Sequence, residues 1–184
     1  MVEAPLELVK KQLQDGIAIP SFISYLLEDE KFTPQDEHRI KWTALAIYGG
    51  GGDTTVSAVY SFFLARTLYP EPMRKAQKEI DEVIGRDRLP TLADWERLPY
   101  VNALVKEVLR FNPVANLCIP HKTTHDNIYA GYFVPKGSAV IANIWAFLHD
   151  PDIYPEPFKF IPERFLGPNP QRDPREFAFG HGRR

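Results

Sequence analysis

An acid and an alcohol directly follow a run of four glycines in the first third of the chain. Asp53 and Thr54 come after residues 49–52, which are all glycine. Glycine lets another group approach the backbone closely, and irregular helical turns are frequent at functional sites. An acid beside an alcohol at such an opening could relay protons to a bound species. A loop between two helices is the structural alternative. A phosphate loop is excluded, because no Walker A lysine follows the glycines and position 54 is not glycine.

Two further motifs combine carboxylates with arginines. Glu107 and Arg110 are three residues apart, a spacing that puts both side chains on one face of a helix. Arg164 lies within the tetrapeptide 162–165, Pro-Glu-Arg-Phe, where a guanidinium could bridge a coil to a helix by bidentate hydrogen bonds. Taken singly, such a pair is typical of solvated charges and such an arginine of a surface position.

A cysteine and two histidines give a partial zinc-ligand spacing. Cys118, His121 and His125 follow the pattern Cys-x2-His-x3-His. No fourth ligand is close in sequence, and the glutamate of an HExxH motif is missing. We therefore predict no metal site here. Residues 179–184, Phe-Gly-His-Gly-Arg-Arg, indicate by themselves only a basic, glycine-rich tail.

The elements that position these residues are mostly helical. Thr33 as N-cap and Pro34 at the first helical position predict a long helix over about 33–69, which is apolar and carries the glycine run. Its weak, polar centre favours the core helix of a large protein over a membrane span. Further helices are predicted over 21–31, 71–84 and 99–111. Thr91 to Asp94 cap another short helix, and short strands are predicted over 127–141. The fold class is mainly α with a small β-sheet.

Composition narrows the class of protein. Of the 184 residues, 44% are apolar and 25% charged, as in ordinary globular proteins, which excludes a disordered tail and a coiled coil. The net charge of −2 does not indicate nucleic-acid binding, and a single cysteine excludes an internal disulfide. Seven of the 17 prolines lie between positions 150 and 178, which predicts ordered coil there. The chain shows no signal peptide, and it begins in a helix and ends in a loop, so we expect a piece of a larger domain.

In this order, the motifs closely resemble one family. The succession 50–55, Glu107-x-x-Arg110, 162–165 and 179–184 resembles the cytochromes P-450, the haem-thiolate monooxygenases. The segment Gly-Tyr-Phe-Val-Pro-Lys-Gly at 131–137 and His-Asp-Pro at 149–151 are also similar. The resemblance covers essentially the whole chain. The sequence is most similar to eukaryotic, microsomal-type members, and among these to fungal ones.

The resemblance implies a role for each motif. The long helix would cross the distal face of the haem, with Gly50 and Gly51 forming an oxygen groove. Asp53 and Thr54 would be the catalytic residues that deliver protons to bound dioxygen. A buried triad on the proximal side would maintain the fold and the haem pocket; its members would be Glu107, Arg110 and Arg164.

The resemblance also implies binding residues. Phe179, Arg184 and His121 would contact the haem, the last two as donors to its propionates. The substrate pocket would be lined by residues of the segment 114–119, namely Val114, Ala115, Cys118 and Ile119.

One departure from the family pattern bears on activity. Phe179, Gly182 and Arg184 match Phe-x-x-Gly-x-Arg-x-Cys, and the cysteine ligand would come two residues after Arg184. That thiolate favours O–O cleavage in the family. We expect residues 1–184 to be one partial cytochrome P-450 domain, lacking the N-terminal half and the haem-ligand segment. The alternative to a segment of an active enzyme is a truncated, non-catalytic fragment that cannot ligate haem iron.

Partners and location are implied in the same way. The full-length parent would bind haem and insert one atom of dioxygen into an organic substrate. Its partners would be an NADPH-dependent reductase, a small lipophilic substrate and O2, and not nucleic acid. The family resemblance would place it at the endoplasmic reticulum membrane, with no anchor in this chain.

Overall fold

A computed structural model describes residues 3–28 and 33–182, and these form two compact units. The first unit covers residues 1–56 and the second residues 57–184. The chain is mainly helical with short antiparallel strand pairs, which confirms the predicted class. The helix predicted over 21–31 is shorter than expected, because it ends at Leu27 with Glu28 as its C-cap. Residues 29–32 lie outside the described part.

In the first unit, two helices begin at side-chain caps, those at Ser21 and Thr33. Helix α1 covers Glu3–Gln14, α2 covers Phe22–Leu27 and α3 covers Pro34–Gly52. Thr33 and Asp36 form a reciprocal capping box at α3, the start predicted from the sequence. Leu6 of α1 and Ile40 of α3 are buried, and Lys10 donates to Glu37 at 2.8 Å. Burial of these apolar side chains fixes how the helices of this unit pack.

The long helix predicted over about 33–69 is divided at Asp53. Helix α4 covers Thr54–Leu68, and the boundary between the two units falls within it. Asp53 is the C-cap of α3, with φ −101° and ψ −28°. Four successive glycines weaken the helix just before this point, since each lacks the side chain that restricts the backbone. The irregularity expected at the glycines is therefore present, and it is one residue long.

In the second unit, three helical segments follow α4. Helix α5 covers Pro70–Val83, a 3₁₀ helix covers Leu92–Arg97 and α6 covers Pro99–Phe111. The bounds of α6 agree with the prediction, because proline fits its first position and Pro113 follows its end. Gly85 has φ +85° just after α5, the left-handed conformation that ends many helices.

The strands form two antiparallel pairs. Strand β1 covers His121–Lys122, β2 Asn127–Tyr129, β3 Tyr132–Val134 and β4 Ala139–Val140. β2 and β3 make a hairpin in which Tyr129 faces Tyr132, and both turn residues between them have positive φ. β1 pairs with β4, so the second pair encloses the hairpin in sequence.

The proline-rich part contains only short elements, as predicted. Helix α7 covers Ile144–Leu148, a 3₁₀ helix covers Pro162–Phe165 and α8 covers Arg175–Ala178. Two buried clusters form the core of this unit. The first core cluster consists of Ala103, Ile144, Leu148, Tyr154, Phe165 and Phe177. The second core cluster consists of Ala65, Ala76, Leu104, Val108 and Phe160.

Across residues 3–28 and 33–182, no helix combines the length and the apolar character that a bilayer span requires.

Candidate functional site

Glu107, Arg110 and Arg164 meet in the interior of the second unit. Arg110 donates to Glu107 through Nε at 2.8 Å and through Nη2 at 2.9 Å, which is the bidentate arrangement. Arg164 approaches the same carboxylate with Nε 3.2 Å from Oε2. The side chains of Glu107 and Arg110 are fully buried, and that of Arg164 is 2% exposed. The structure thus brings together three residues that the sequence spaces up to 57 positions apart.

Backbone carbonyls complete the coordination of the two guanidinium groups. Arg110 Nη1 donates to the carbonyls of Leu148 and Pro157 at 2.9 and 2.8 Å, and Nη2 donates to that of Lys159. Arg164 Nη1 donates to the carbonyl of Pro155 at 2.9 Å. A buried charge is stable only when its donors and acceptors are satisfied, and coil 155–159 provides the acceptors. The cluster therefore ties α6 to that coil.

Two further partners of this cluster are not indicated by any motif in the sequence. Gln171 Oε1 accepts from Arg164 Nη1 at 2.8 Å, and the ring of Tyr154 lies 5.6 Å from the Arg110 guanidinium carbon. Both residues are in irregular coil, where no periodicity in the sequence indicates which side chains turn inward. Burial raises the pKa of Tyr154 to about 12, against the lowering effect of Arg110. Burial also lowers the pKa of Arg164, while the Glu107 carboxylate acts to raise it.

Asp53 and Thr54 lie at the helix division in the first unit. The Thr54 hydroxyl donates to the Gly50 carbonyl at 2.7 Å, so it spans the interrupted turn. Asp53 and Thr54 are both exposed. A Cβ atom built on any glycine of residues 49–52 would meet nothing within 4 Å. Packing within the described part of the chain therefore does not require these glycines.

Segment 114–119 shows a close contact between Cys118 and Gly180. A Cβ atom at Gly180 would lie 3.4 Å from Cys118 Sγ. Cys118 is half-buried, has φ +57° and packs against the first core cluster. Val114, Ala115 and Ile119 are exposed. The segment predicted to line a substrate pocket thus contacts the segment predicted to bind the cofactor.

This contact predicts different effects for two neighbouring glycines. Gly180 has φ +81°, a conformation that costs an L-residue roughly 1–2 kcal/mol. Gly182 has no such φ, and its Cβ would meet open space. We expect Gly180→Ala to lower the urea midpoint of a full-length protein carrying this sequence, and Gly182→Ala to leave it nearly unchanged. Equal midpoints for the two variants would contradict the assigned strain.

The other predicted binding residues are near the surface. The Phe179 ring is 73% exposed, and the His121 side chain is exposed on β1. Within residues 3–28 and 33–182, the His121 imidazole has no hydrogen-bond partner, and no three metal-ligating side chains are close enough to hold an ion. Arg184 lies outside the described residues.

A cavity of about 560 Å³ lies in the first unit. Its lining is apolar apart from Lys41 and Tyr48, and it includes Leu6, Ile23 and Leu45. None of the predicted substrate-pocket residues, all in segment 114–119, belongs to its lining.

Comparison with known proteins gives one consistent result. The family model described as Cytochrome P450 matches residues 2–184. Cytochrome P450 monooxygenase 208 of Postia placenta is 55% identical over 183 residues, which are 98% of this chain and 36% of that protein. Cytochrome P450 monooxygenase claR of Ampulloclitocybe clavipes is 50% identical over 99% of this chain and 34% of its own length. O-methylsterigmatocystin oxidoreductase of Aspergillus flavus is 44% identical over all of this chain and 36% of its own length. The chain thus spans just over a third of these curated relatives.

Proposed function

Because the chain belongs to the cytochrome P450 family, we propose that it is a segment of a haem-dependent monooxygenase. The full-length protein would insert one atom of dioxygen into a small lipophilic organic substrate, with electrons from an NADPH-dependent reductase. The observation that carries this proposal is the helix division at Asp53. An acid and an alcohol are exposed there beside glycines whose Cβ positions are open, which is the arrangement that proton delivery to a small bound molecule needs.

Thr54 handles the proton in this proposal. Its hydroxyl hydrogen is donated to the Gly50 carbonyl, so the lone pairs of Oγ1 are free to accept a proton from Asp53 or from a water molecule. When the Thr54 hydroxyl breaks its hydrogen bond to the Gly50 carbonyl, it can donate its own proton to the bound species. Gly50 and Gly51 leave room beside this hydroxyl, since neither backbone carries a side chain there. Asp53, which is exposed to water, can supply the next proton to the Thr54 hydroxyl.

The residues present suit one side of a haem. His121 offers an exposed imidazole to a propionate, Phe179 offers an exposed apolar ring, and Arg184 would be a second propionate donor by its match to the family motif. When bound, haem would supply the redox chemistry that activates dioxygen. Cys118 does not suit the thiolate role, because it packs against the first core cluster and contacts Gly180. From the match to the family motif, we propose that the ligand is a cysteine two residues after Arg184.

Glu107, Arg110 and Arg164 act on structure and not on the reacting atoms in this proposal. They are buried among carbonyls of coil 155–159 and hold that coil against α6. Val114, Ala115, Cys118 and Ile119 would shape the substrate pocket. The endoplasmic reticulum membrane is the proposed location, drawn from the family resemblance alone.

The reduced carbon-monoxide difference spectrum tests the proposal. A full-length protein carrying this sequence should give a thiolate-type Soret band, and Cys118→Ser should retain it. The 184 residues alone are proposed not to give that band, because Cys118 is their one cysteine. A full-length protein without the band would refute the proposed haem-thiolate function.

The relay predicts uncoupling in Thr54→Ala. Positioned proton transfer typically contributes about 10²–10⁴-fold, so we expect product formed per NADPH consumed to fall about tenfold or more. Thr54→Ser keeps the hydroxyl and should restore coupling. Thr55→Ala is the matched control, since Thr55 is the exposed neighbour on α4. Unchanged coupling in Thr54→Ala would remove the assigned role.

A further inference from the structure

Helix α6 begins without a cap of its own. Leu98 occupies the N-cap position and provides no side-chain hydrogen bond, and Pro99 follows it. The first N–H groups of a helix have no partner within the helix. Here they are satisfied by Glu79 of α5, whose Oε1 accepts from Tyr100 N and whose Oε2 accepts from Val101 N, both at 2.9 Å. A carboxylate from the neighbouring helix thus replaces the local cap.

A second bridge joins the same end of α6 to the 3₁₀ helix Pro162–Phe165. Lys75 lies one turn before Glu79 on α5 and donates to Glu163 Oε1 at 2.5 Å. The Tyr100 hydroxyl donates to the same oxygen at 3.0 Å. We call Lys75, Glu79, Tyr100 and Glu163 the α5–α6 clasp. It connects three elements that are separate in sequence.

Two of these three elements also carry the buried arginine–glutamate cluster. Glu163 is followed directly by Arg164, and Arg164 Nε is 3.3 Å from Glu107 Oε1. The Ile161 backbone N–H donates to that same Oε1 at 2.8 Å. The 3₁₀ helix is therefore held to α6 twice, once near the surface by the clasp and once in the interior by Glu107.

We propose that Glu79 is a positioning residue, which through the α5–α6 clasp fixes α6 so that Glu107 reaches Arg164 and Ile161. Its carboxylate makes two charge-assisted hydrogen bonds at the positive end of a helix. The Lys75–Glu163 bridge is more exposed, with side chains 58% and 41% exposed, and such pairs contribute little by themselves. Glu79 is accordingly the main member, and Tyr100 transmits its effect to Glu163. Any consequence for haem retention rests on the proposed function.

Amide hydrogen exchange of the full-length protein tests this proposal without relying on activity. In Glu79→Gln, we expect the Tyr100 and Val101 amides to exchange about tenfold faster, as for loss of a helix cap. The Ile161 amide, which Glu79 does not touch, should also exchange faster. Faster exchange at Tyr100 and Val101 alone would overturn the positioning role, since the cap would then act only locally.

The chain offers a matched control on the same helix. Lys78 and Glu82 repeat the spacing of Lys75 and Glu79, but they form an exposed ion pair with each other, at 3.6 Å. Glu82→Gln should leave all three amides unchanged, and an equal effect would overturn the proposal. Tyr100→Phe, which keeps the Glu79 cap, should speed exchange at Ile161 about threefold. An unchanged Ile161 in that variant would overturn the transmission through Glu163.

The spectrum separates this inference from the proposed function. The reduced carbon-monoxide difference spectrum is recorded on the same samples. If the unsubstituted protein lacks the thiolate-type band, the haem function fails, and the exchange data still decide on the clasp. If the band is present and Ile161 stays protected in Glu79→Gln, the clasp fails and the haem function stands.

Discussion

Glu107→Gln is expected to lower the free energy of unfolding by about 3–5 kcal/mol. The substitution keeps the size of the side chain but removes the negative charge with which Arg110 and Arg164 pair in the interior. Two buried guanidinium groups would then share a neutral amide, whose NH2 group cannot accept their hydrogen bonds. Stability is lost because two buried positive charges are left without a counter-ion. The intact ion pairs need not contribute a large net stabilisation for this loss to occur.

Urea unfolding and the carbon-monoxide spectrum of the full-length protein measure this effect. Glu96→Gln is the matched control, because Glu96 is exposed and should change the free energy of unfolding by no more than about 0.5 kcal/mol. We expect Glu107→Gln also to lose the thiolate-type band. A loss below about 1 kcal/mol would mean that water or another group compensates the charges, and would contradict the burial seen here.

Local signals in the sequence predicted where several helices begin. Thr33 with Asp36 and Thr91 with Asp94 form the capping boxes at α3 and at the first 3₁₀ helix. Such signals depend on residues within one turn of each other, so a single sequence contains them. The glycine run indicated a break in the long helix but not that it would fall at Asp53 alone.

Contacts between distant residues were not predictable from pattern. Arg164 meets Glu107 across 57 positions, and the tetrapeptide 162–165 by itself favours a surface arginine. The family resemblance suggested that contact. Nothing in the sequence indicated that Gln171 and the carbonyls of coil 155–159 would also bind the arginines. The cap of α6 was not predictable from the sequence either, because Glu79 is 21 residues from Tyr100. Chain reversals in irregular coil decide these contacts, and propensities do not encode them.

The packing beneath the buried cluster leads to the second large effect, in Leu148→Ala. Leu148 is fully buried in α7 as a member of the first core cluster. Truncating a buried leucine removes its transfer free energy and leaves a cavity, so we expect a loss of about 2–5 kcal/mol. Leu92→Ala is the control for the same chemical change, because Leu92 is 91% exposed. Urea unfolding of both full-length variants gives the comparison, and equal losses would contradict the assigned burial.

The Leu148→Ala variant also tests whether the packing of the core and the buried charged cluster are energetically coupled. Its carbonyl accepts from Arg110 Nη1 at 2.9 Å, so relaxation of α7 into the cavity would move an acceptor that the buried guanidinium needs. We therefore expect Leu148→Ala and Glu107→Gln to be non-additive, with a coupling of about 0.5–3 kcal/mol in a double-mutant cycle. Additivity within about 0.3–0.5 kcal/mol would show that the core holds α7 in place without support from Arg110. Coupling in the expected range would mean that the hydrophobic core positions the carbonyls on which the buried arginines depend.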